Sequence, residues 1–236
     1  MRAVVLAGGR GTRLRPYTTV FPKPLMPLGD VPILDIVLRQ LVSAGFREIT
    51  LSVGYLAELI RAYCGDGSRY GIALRYLHED SPLGTVGPIG LLEDFSSPLL
   101  LMNGDILTDL SFAKVWEYHH ANEGMITIAL NRRPLTINFG VVDQMEENRI
   151  RRYVEKPTLD YLVGMGICVL DPSIAPFVER GKQLDLPDLI AALLDAGKKV
   201  VGWETDAYWL DIGRPDDYER AQSDYERMKE RFGVKV

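Results

Sequence analysis

A glycine-rich turn with unopposed cations around it opens the chain. The apolar run 3–7 is typical of a buried strand of a parallel sheet. Three glycines follow it at once, Gly8, Gly9 and Gly11, and they let the backbone turn sharply and let a ligand approach it closely. Five cations and no acidic residue precede Asp30: Arg2, Arg10, Arg13, Arg15 and Lys23. This pattern predicts a polyphosphate site built from backbone N–H groups and Arg side chains.

The carboxylate of Asp105 is a second candidate for chemistry. The apolar stretch 98–102 predicts a strand buried on both faces, and Asn103-Gly104-Asp105 follows it directly. Ligands of open α/β sheets gather at the carboxyl ends of strands, and Mg²⁺ takes one or two carboxylates together with substrate phosphates. Asn-Gly-Asp is also a common turn, but its place after a buried strand favours a metal ligand. Asp109 is expected to cap the helix that begins near Ser111.

Alternating strands and helices must position these residues. A helix is predicted at about 32–44, followed by a strand at about 48–53. A second helix at about 56–63 and a second strand at about 72–77 come next. This order is the signature of an α/β protein with a parallel sheet and helices on both faces. Further along the chain, His119 and His120 are predicted to lie at the surface of a helix. The final helix, from about residue 215, carries mixed charges and few apolar residues and is predicted to be a surface helix.

Two common phosphate-binding sequences do not fit the glycine turn. A Walker loop needs Gly-x-x-x-x-Gly-Lys-Ser/Thr, and no window here supplies it. A dinucleotide fingerprint needs a third glycine where Leu14 stands, and the prolines from Pro16 onward forbid a continuous helix after the turn. A plain basic loop would explain neither the glycine placement nor the prolines.

The stretch 8–28 resembles a family signature. Gly-Gly-Arg-Gly-Thr-Arg-Leu-Arg-Pro-Tyr-Thr, then Pro-Lys-Pro, is similar to the signature of sugar-1-phosphate nucleotidylyltransferases. The resemblance implies a Rossmann-like three-layer αβα nucleotidyltransferase fold with a mostly parallel central sheet. It also implies that the glycine loop wraps the nucleotide, with contacts from Leu6, Ala7, Gly8, Gly9, Gly11, Thr12 and Arg13. Arg13 would bind the triphosphate and stabilise charge at the reacting phosphorus, and Lys23 would hold phosphate oxygens.

A second stretch, 81–89, resembles the family element Leu-Gly-Thr-Ala-Gly, with Val86 in place of alanine. The resemblance makes Gly84 and Thr85 candidates for nucleotide contact. From the residues alone, a helix entry is the favoured interpretation of this stretch. Glu79 could face the edge of the base or could be a solvated loop carboxylate.

Three later stretches resemble the sugar-phosphate half of the family. Gly140 would lie under the sugar ring, although Phe139 replaces the family's tyrosine. Glu155 would accept hydrogen bonds from sugar hydroxyls, and Lys156 would bind the 1-phosphate. Asp211, in Trp-Leu-Asp-Ile-Gly, would complete a Mg²⁺ site opposite Asp105. Gly164 replaces the family's asparagine, which leaves the identity of the sugar open.

Composition limits the other possibilities. The 236 residues are 47% hydrophobic and carry a net charge of -5, which predicts one globular domain and argues against nucleic-acid binding. We expect a nucleotide-binding half at about 1–110, a sugar-phosphate half at about 111–220, and the C-terminal helix after it. The cysteines, Cys64 and Cys168, have no ligand spacing and are expected to be buried thiols in a cytoplasmic protein. No membrane span, secretion leader or hexapeptide-repeat extension is expected; a homo-oligomer stays open.

The resemblance implies a reaction: an NTP and a sugar 1-phosphate give an NDP-sugar and pyrophosphate. Arg13, Lys23 and Asp105 would be the catalytic residues. The segment 79–87 is most similar to the guanylyl-transferring branch that acts on mannose or heptose 1-phosphates, so GTP is the expected donor. Uridylyl and cytidylyl transfer to a glucose-type sugar stay open. Two other classes are a glycosyltransferase, which would usually carry Asp-x-Asp, and a non-catalytic sensor of nucleotide sugars.

Overall fold

The computed structural model describes residues 1–144 and 148–233. Its strands are β1 (Arg2–Leu6), β2 (Pro27–Leu28), β3 (Val31–Pro32), β4 (Glu48–Val53), β5 (Ala73–His78), β6 (Leu99–Asn103), β7 (Ile106–Thr108), β8 (Ile126–Thr136), β9 (Val141–Gln144), β10 (Ile150–Val154), β11 (Thr158–Leu170), β12 (Val200–Thr205) and β13 (Trp209–Asp211). Its α-helices are α1 (Ile33–Ser43), α2 (Ala57–Cys64), α3 (Phe112–Asn122), α4 (Leu186–Asp195) and α5 (Pro215–Met228).

A seven-stranded sheet forms the centre, in the order β12-β8-β11-β6-β1-β4-β5. Its neighbouring strands pair in parallel, except that β11 is antiparallel to both β6 and β8. Helices α1, α2 and α3 pack their apolar residues on one face with alternate residues of β1, such as Val5. Helix α4 packs on the other face with the intervening residue Val4. This arrangement confirms the predicted three-layer α/β fold with a mostly parallel sheet.

The sheet register positions the candidate site. Leu6 at the end of β1 pairs with Ser52 of β4 on one side and with Asn103 of β6 on the other. Val53 of β4 in turn pairs with His78, the last residue of β5. The carboxyl ends of four parallel strands therefore lie along one edge, and the segments that leave them meet there.

A smaller apolar core lies beside the sheet and includes the final helix. Strand β13 pairs antiparallel with β7, and Asp211 lies opposite Ile106. Helix α5 buries Ala221 and Tyr225 against this pair and against the N-terminal turns. The prediction of a purely surface helix was wrong here, because these two residues, four apart, form a narrow apolar stripe that the helix's many charges obscure.

Two side-chain predictions also need correction. His119 is buried and its Nδ1 lies 2.9 Å from the Thr127 hydroxyl of β8, whereas His120 is exposed as predicted. Asp109 does not cap α3: its carboxylate accepts a hydrogen bond from the Tyr208 amide and pairs with Arg231. Both partners of Asp109 come from segments that are distant in sequence, so local sequence could not indicate them. None of the described helices is long and apolar enough to cross a membrane.

Candidate active site

A cavity of about 620 Å³ lies at the edge where the strands end. Every residue that the sequence assigned to the nucleotide or to catalysis lines it: Leu6, Ala7, Gly8, Gly9, Gly11, Thr12, Arg13, Lys23, Glu79, Gly84, Thr85 and Asp105. A larger cavity of about 930 Å³ lies on the β12 side of the molecule and contains none of them. Residue chemistry, rather than size, therefore identifies the candidate site.

The glycine turn is fixed by its own hydrogen bonds. Gly11 has φ +57°, in the left-handed region, and an added Cβ would lie 2.9 Å from the Thr18 side chain. The buried Thr18 hydroxyl donates to the Gly11 carbonyl (2.7 Å). The 3₁₀ turn Thr12–Leu14 follows, and it brings the Arg13 guanidinium against Gly213, after β13. The cation of the first loop thus lies beside the strand that carries Asp211.

Lys23 and Asp105 form an ion pair in the floor of the cavity. Lys23 stands in the 3₁₀ turn Lys23–Leu25 and is buried, with Nζ against Oδ2 of Asp105. The other carboxylate oxygen, Oδ1, is buried without a hydrogen-bond partner among the described residues. A buried charged oxygen without a partner is costly, which makes this atom a candidate ligand for a cation.

Asp211 brings a second carboxylate to the same place. Its neighbour Ile212 donates its amide to the Asp105 carbonyl (3.2 Å), so the two segments that carry these carboxylates are joined there. Burial raises the pKa of Asp211, the nearby Asp105 carboxylate raises it further, and Lys23 and Arg13 oppose the shift. Two mutually repelling carboxylates, one with an unpartnered oxygen, fit a hard divalent cation. Within 1–144 and 148–233 no group of three Asp, Glu, His or Cys residues could hold a metal, so substrate phosphates and water would have to complete its shell.

The segment that follows β5 forms the wall of the cavity. Glu79 is not a solvated loop carboxylate: it accepts hydrogen bonds from the Ser52 hydroxyl (2.6 Å) and from the Leu83 amide (3.0 Å). The Thr85 amide donates to Asp185 (2.9 Å), which lies 100 residues further along the chain. Gly84 lies between the two held amides.

Comparison with known proteins agrees with this geometry. A family model described as "Nucleotidyl transferase" matches residues 2–228. The chain belongs to the nucleotidyl transferase family. It is 33% identical over 234 residues to a mannose-1-phosphate guanylyltransferase of Mycobacterium tuberculosis, covering 95% of this chain and 64% of that protein. It is 30% identical over 241 residues to a UTP–glucose-1-phosphate uridylyltransferase of Synechocystis, covering 94% and 62%.

A solved structure shares the fold. The crystal structure of HddC from Yersinia pseudotuberculosis superposes with a TM-score of 0.72 at 26% identity, covering 95% of this chain and 99% of that one. Nucleotidyl transferases of this kind generally use a divalent metal. The chain spans less than two thirds of the length of the curated relatives it matches.

The sugar-phosphate candidates are not among the residues that line the cavity. Glu155 and Lys156 are exposed between β10 and β11, and Glu155 accepts a hydrogen bond from the Tyr153 hydroxyl (3.0 Å). The Tyr153 side chain packs directly on Gly140, which joins these candidates in one group. Lys156 has φ +45°, a conformation that non-glycine residues rarely adopt and that often marks functional positions.

Several residues that line the cavity were not predicted from the sequence. Gly54 and Tyr55 follow β4, and His78 ends β5. Like Asp105, these residues stand at the carboxyl ends of strands of the parallel sheet, where ligands gather, and that position is the signal that could have found them. Asp185 does not line the cavity but accepts a hydrogen bond from the Thr85 amide in its wall; no sequence signal marks this contact, since it depends on the folded position of α4.

Proposed function

We propose that this chain transfers a nucleotidyl group from an NTP to a sugar 1-phosphate, giving an NDP-sugar and pyrophosphate. Arg13, Lys23 and Asp105 line one glycine-rich cavity, and this observation supports the proposal best. Asp211 is not among the lining residues, but it lies close enough to Asp105 for that carboxylate to raise its pKa. Cations beside carboxylates suit a reaction that brings two anions together. The related transferases of guanylyl and uridylyl groups have the same type of activity in their names.

The nucleophile in this reaction is the substrate. A phosphate oxygen of the sugar 1-phosphate attacks the α-phosphorus, and pyrophosphate leaves in line. That phosphate is already ionised near neutral pH, so no protein base or covalent nucleophile is needed. The two cysteines fit this scheme, because burial raises the pKa of Cys64 to about 11 and that of Cys168 to about 12, which keeps both as unreactive thiols.

The protein's own contribution is positioning and charge. In this scheme the glycine loop holds the triphosphate with its backbone, and Arg13 stabilises the charge that develops at the α-phosphorus. Lys23 exchanges its contact with Asp105 for phosphate oxygens. Lys156 holds the sugar phosphate, and Glu155 accepts hydrogen bonds from sugar hydroxyls above Gly140. The halves at about 1–110 and 111–220 would then carry donor and acceptor respectively.

Mg²⁺ is the metal that the carboxylates would hold. Asp105 and Asp211 supply oxygen ligands, and the remaining ligands would come from substrate phosphates and water. When bound, the ion would neutralise phosphate charge and help align the two substrates. We place the reaction in the cytoplasm, in nucleotide-sugar and polysaccharide biosynthesis.

GTP with a mannose- or heptose-type sugar 1-phosphate is the substrate pair we favour. The guanylyltransferase named above is the more similar of the two relatives, and fungal and animal relatives carry the same kind of name. The uridylyltransferase relative supports UTP with glucose 1-phosphate as the second candidate.

Pyrophosphate release tests the proposal. The protein is incubated with Mg²⁺ and each pairing of GTP, UTP, CTP, ATP and dTTP with mannose, glucose and heptose 1-phosphates. We expect release that requires both substrates, fastest with GTP. A tenfold preference for UTP or CTP, about 1.4 kcal/mol in transition-state binding, would overturn the guanylyl assignment. Nucleotide-sugar binding without release in any pairing would favour a sensor, and sugar transfer from an NDP-sugar would indicate a glycosyltransferase.

A further inference from the structure

Two segments 100 residues apart cap each other at the wall of the cavity. Asp185 occupies the N-cap position of α4, where an Asp side chain ordinarily accepts a hydrogen bond from its own helix. Here it caps no amide of α4. Its Oδ1 accepts from the Thr85 amide (2.9 Å), and the Thr85 hydroxyl accepts from the Leu186 amide in the first turn of α4 (2.7 Å). Each segment thus satisfies an amide of the other.

The same wall is held from its other side. Glu79 fixes the Leu83 amide and is itself held by Ser52. The backbone of Leu184 also pairs with this segment, donating its amide to the Leu83 carbonyl (2.9 Å). Between these anchors Gly84 has φ +79°, and an added Cβ would lie 2.6 Å from the Leu184 carbonyl oxygen. The backbone of residues 83–85 therefore has one conformation available.

The two hydrogen bonds between Thr85 and the start of α4 change the role that sequence alone suggests for Thr85. Its amide and its hydroxyl are both engaged with the start of α4, so its side chain is not a free ligand for a nucleotide. Gly84 and Thr85 still line the cavity, while Asp185 is not among the residues that line it. A change at Asp185 can reach a bound nucleotide only by moving this wall.

We propose that Asp185 is a positioning residue that sets the selectivity of the cavity among nucleobases. It acts through Gly84 and Thr85, which line the cavity and against which the base would lie. The inference rests on the proposed function only in assuming that the base of an NTP lies against this wall. Selectivity depends on the placement of a few polar groups, since a displaced group leaves its partner unpaired for one base and not for another.

The test compares three substitutions in the full chain. Asp185→Ala removes the acceptor for the Thr85 amide. Asp185→Asn keeps a side-chain oxygen in the same place, and it is the conservative rescue. Asp188→Ala, in the first turn of the same helix and exposed, is the matched control for helix stability. The dissociation constants of GTP and UTP are measured by equilibrium titration, followed by kcat and KM with sugar 1-phosphate.

We expect Asp185→Ala to change the GTP-to-UTP affinity ratio about tenfold, a difference of about 1.4 kcal/mol in binding free energy between the two nucleotides. The KM for the sugar 1-phosphate should stay within twofold. Asp185→Asn and Asp188→Ala should keep the wild-type ratio within about twofold. A ratio unchanged in Asp185→Ala, or changed equally in Asp188→Ala, would overturn the inference.

A second pair of variants covers a failure of Asp185→Ala to fold. Thr85→Val removes the acceptor for the Leu186 amide, and Thr85→Ser retains it. The valine variant should shift the ratio and the serine variant should not; equal ratios in both would overturn the inference. Because titration needs no turnover, a wild-type protein that binds nucleotides without releasing pyrophosphate would refute the proposed function and still test Asp185.

Discussion

The two carboxylates of the candidate metal site should differ in their effect on stability. Asp105 is paired with Lys23, whereas Asp211 is repelled by Asp105 and has a raised pKa. Asp105→Asn leaves the Lys23 ammonium without a charged partner. Asp211→Asn removes a charge that the folded state holds at a cost. Both substitutions should nevertheless abolish most Mg²⁺-dependent turnover.

The magnitude follows from burial. The Lys23 and Asp105 side chains are 9% and 22% exposed, so their pair is largely screened from water. Hydrogen bonds to charged groups contribute about 1.5–3 kcal/mol, and we take about 2 kcal/mol for Asp105→Asn, since asparagine still accepts a weaker bond. For a protein of this size 1 kcal/mol shifts Tm by roughly 2–4 °C, so Tm should fall by about 4–8 °C. Asp211→Asn should melt at or above the wild-type Tm.

Thermal melts at pH 7 without nucleotide or metal, with pyrophosphate release measured in parallel, test this asymmetry. A group whose folded-state pKa is raised loses its favourable contribution as pH rises above its unfolded pKa. The advantage of Asp211→Asn should therefore be present at pH 7 and shrink toward pH 4, near the ordinary carboxyl pKa of about 3.9. Equal destabilisation by both substitutions would refute the conclusion that Lys23 forms its ion pair with Asp105 and not with Asp211. Full activity of either variant at low Mg²⁺ would remove that residue from the metal site.

Three further predictions concern the loop, the sugar phosphate and a buried histidine. Arg13→Ala should lower kcat about 100-fold through loss of a charge-stabilising donor, and Lys156→Ala should mainly raise the KM for the sugar 1-phosphate; identical kinetic signatures would contradict the division of roles. Gly11→Ala should cost about 1–2 kcal/mol through left-handed backbone strain and weaken NTP binding, whereas Gly9→Ala, whose added Cβ would meet no protein atom within 4 Å, should leave the stability of the fold unchanged. Burial lowers the pKa of His119, so the folded state resists protonation of this side chain and loses stability as pH falls below about 6.5. His119→Gln should therefore flatten the dependence of Tm on pH between about 6.5 and 5. An unchanged slope would show that this histidine is not responsible.

The strands and the cavity floor could be predicted because their signals are local. A strand was predicted at 48–53, and β4 spans these residues. The buried run 99–102 leads into Asn103-Gly104-Asp105, where a metal-binding carboxylate was predicted. Parallel strands end at a shared edge, so residues that follow different strands were brought together by topology alone. Glycine and proline spacing likewise predicted a loop of short turns instead of a helix after β1.

The rest depends on tertiary contacts that no sequence pattern marks. Nothing near Thr85 indicates that its hydroxyl is engaged at the start of α4, and nothing near His119 indicates the Thr127 hydroxyl on the next strand. Helix α5 was misread because two apolar residues among many charges are enough to pack against a small sheet. In each case the contacts of the folded protein, and not the local sequence, determine whether the side chain is buried and what it binds.

Isotopic labelling of the donor tests the central claim most directly. The protein, Mg²⁺ and a sugar 1-phosphate are incubated with GTP labelled either at the α- or at the γ-phosphate, and the products are separated. We expect the α-label in the NDP-sugar and the γ-label only in pyrophosphate, with both signals lost in Asp105→Asn. Transfer of the γ-label to the sugar, or release of γ-labelled inorganic phosphate as the first product, would contradict nucleotidyl transfer at this cavity.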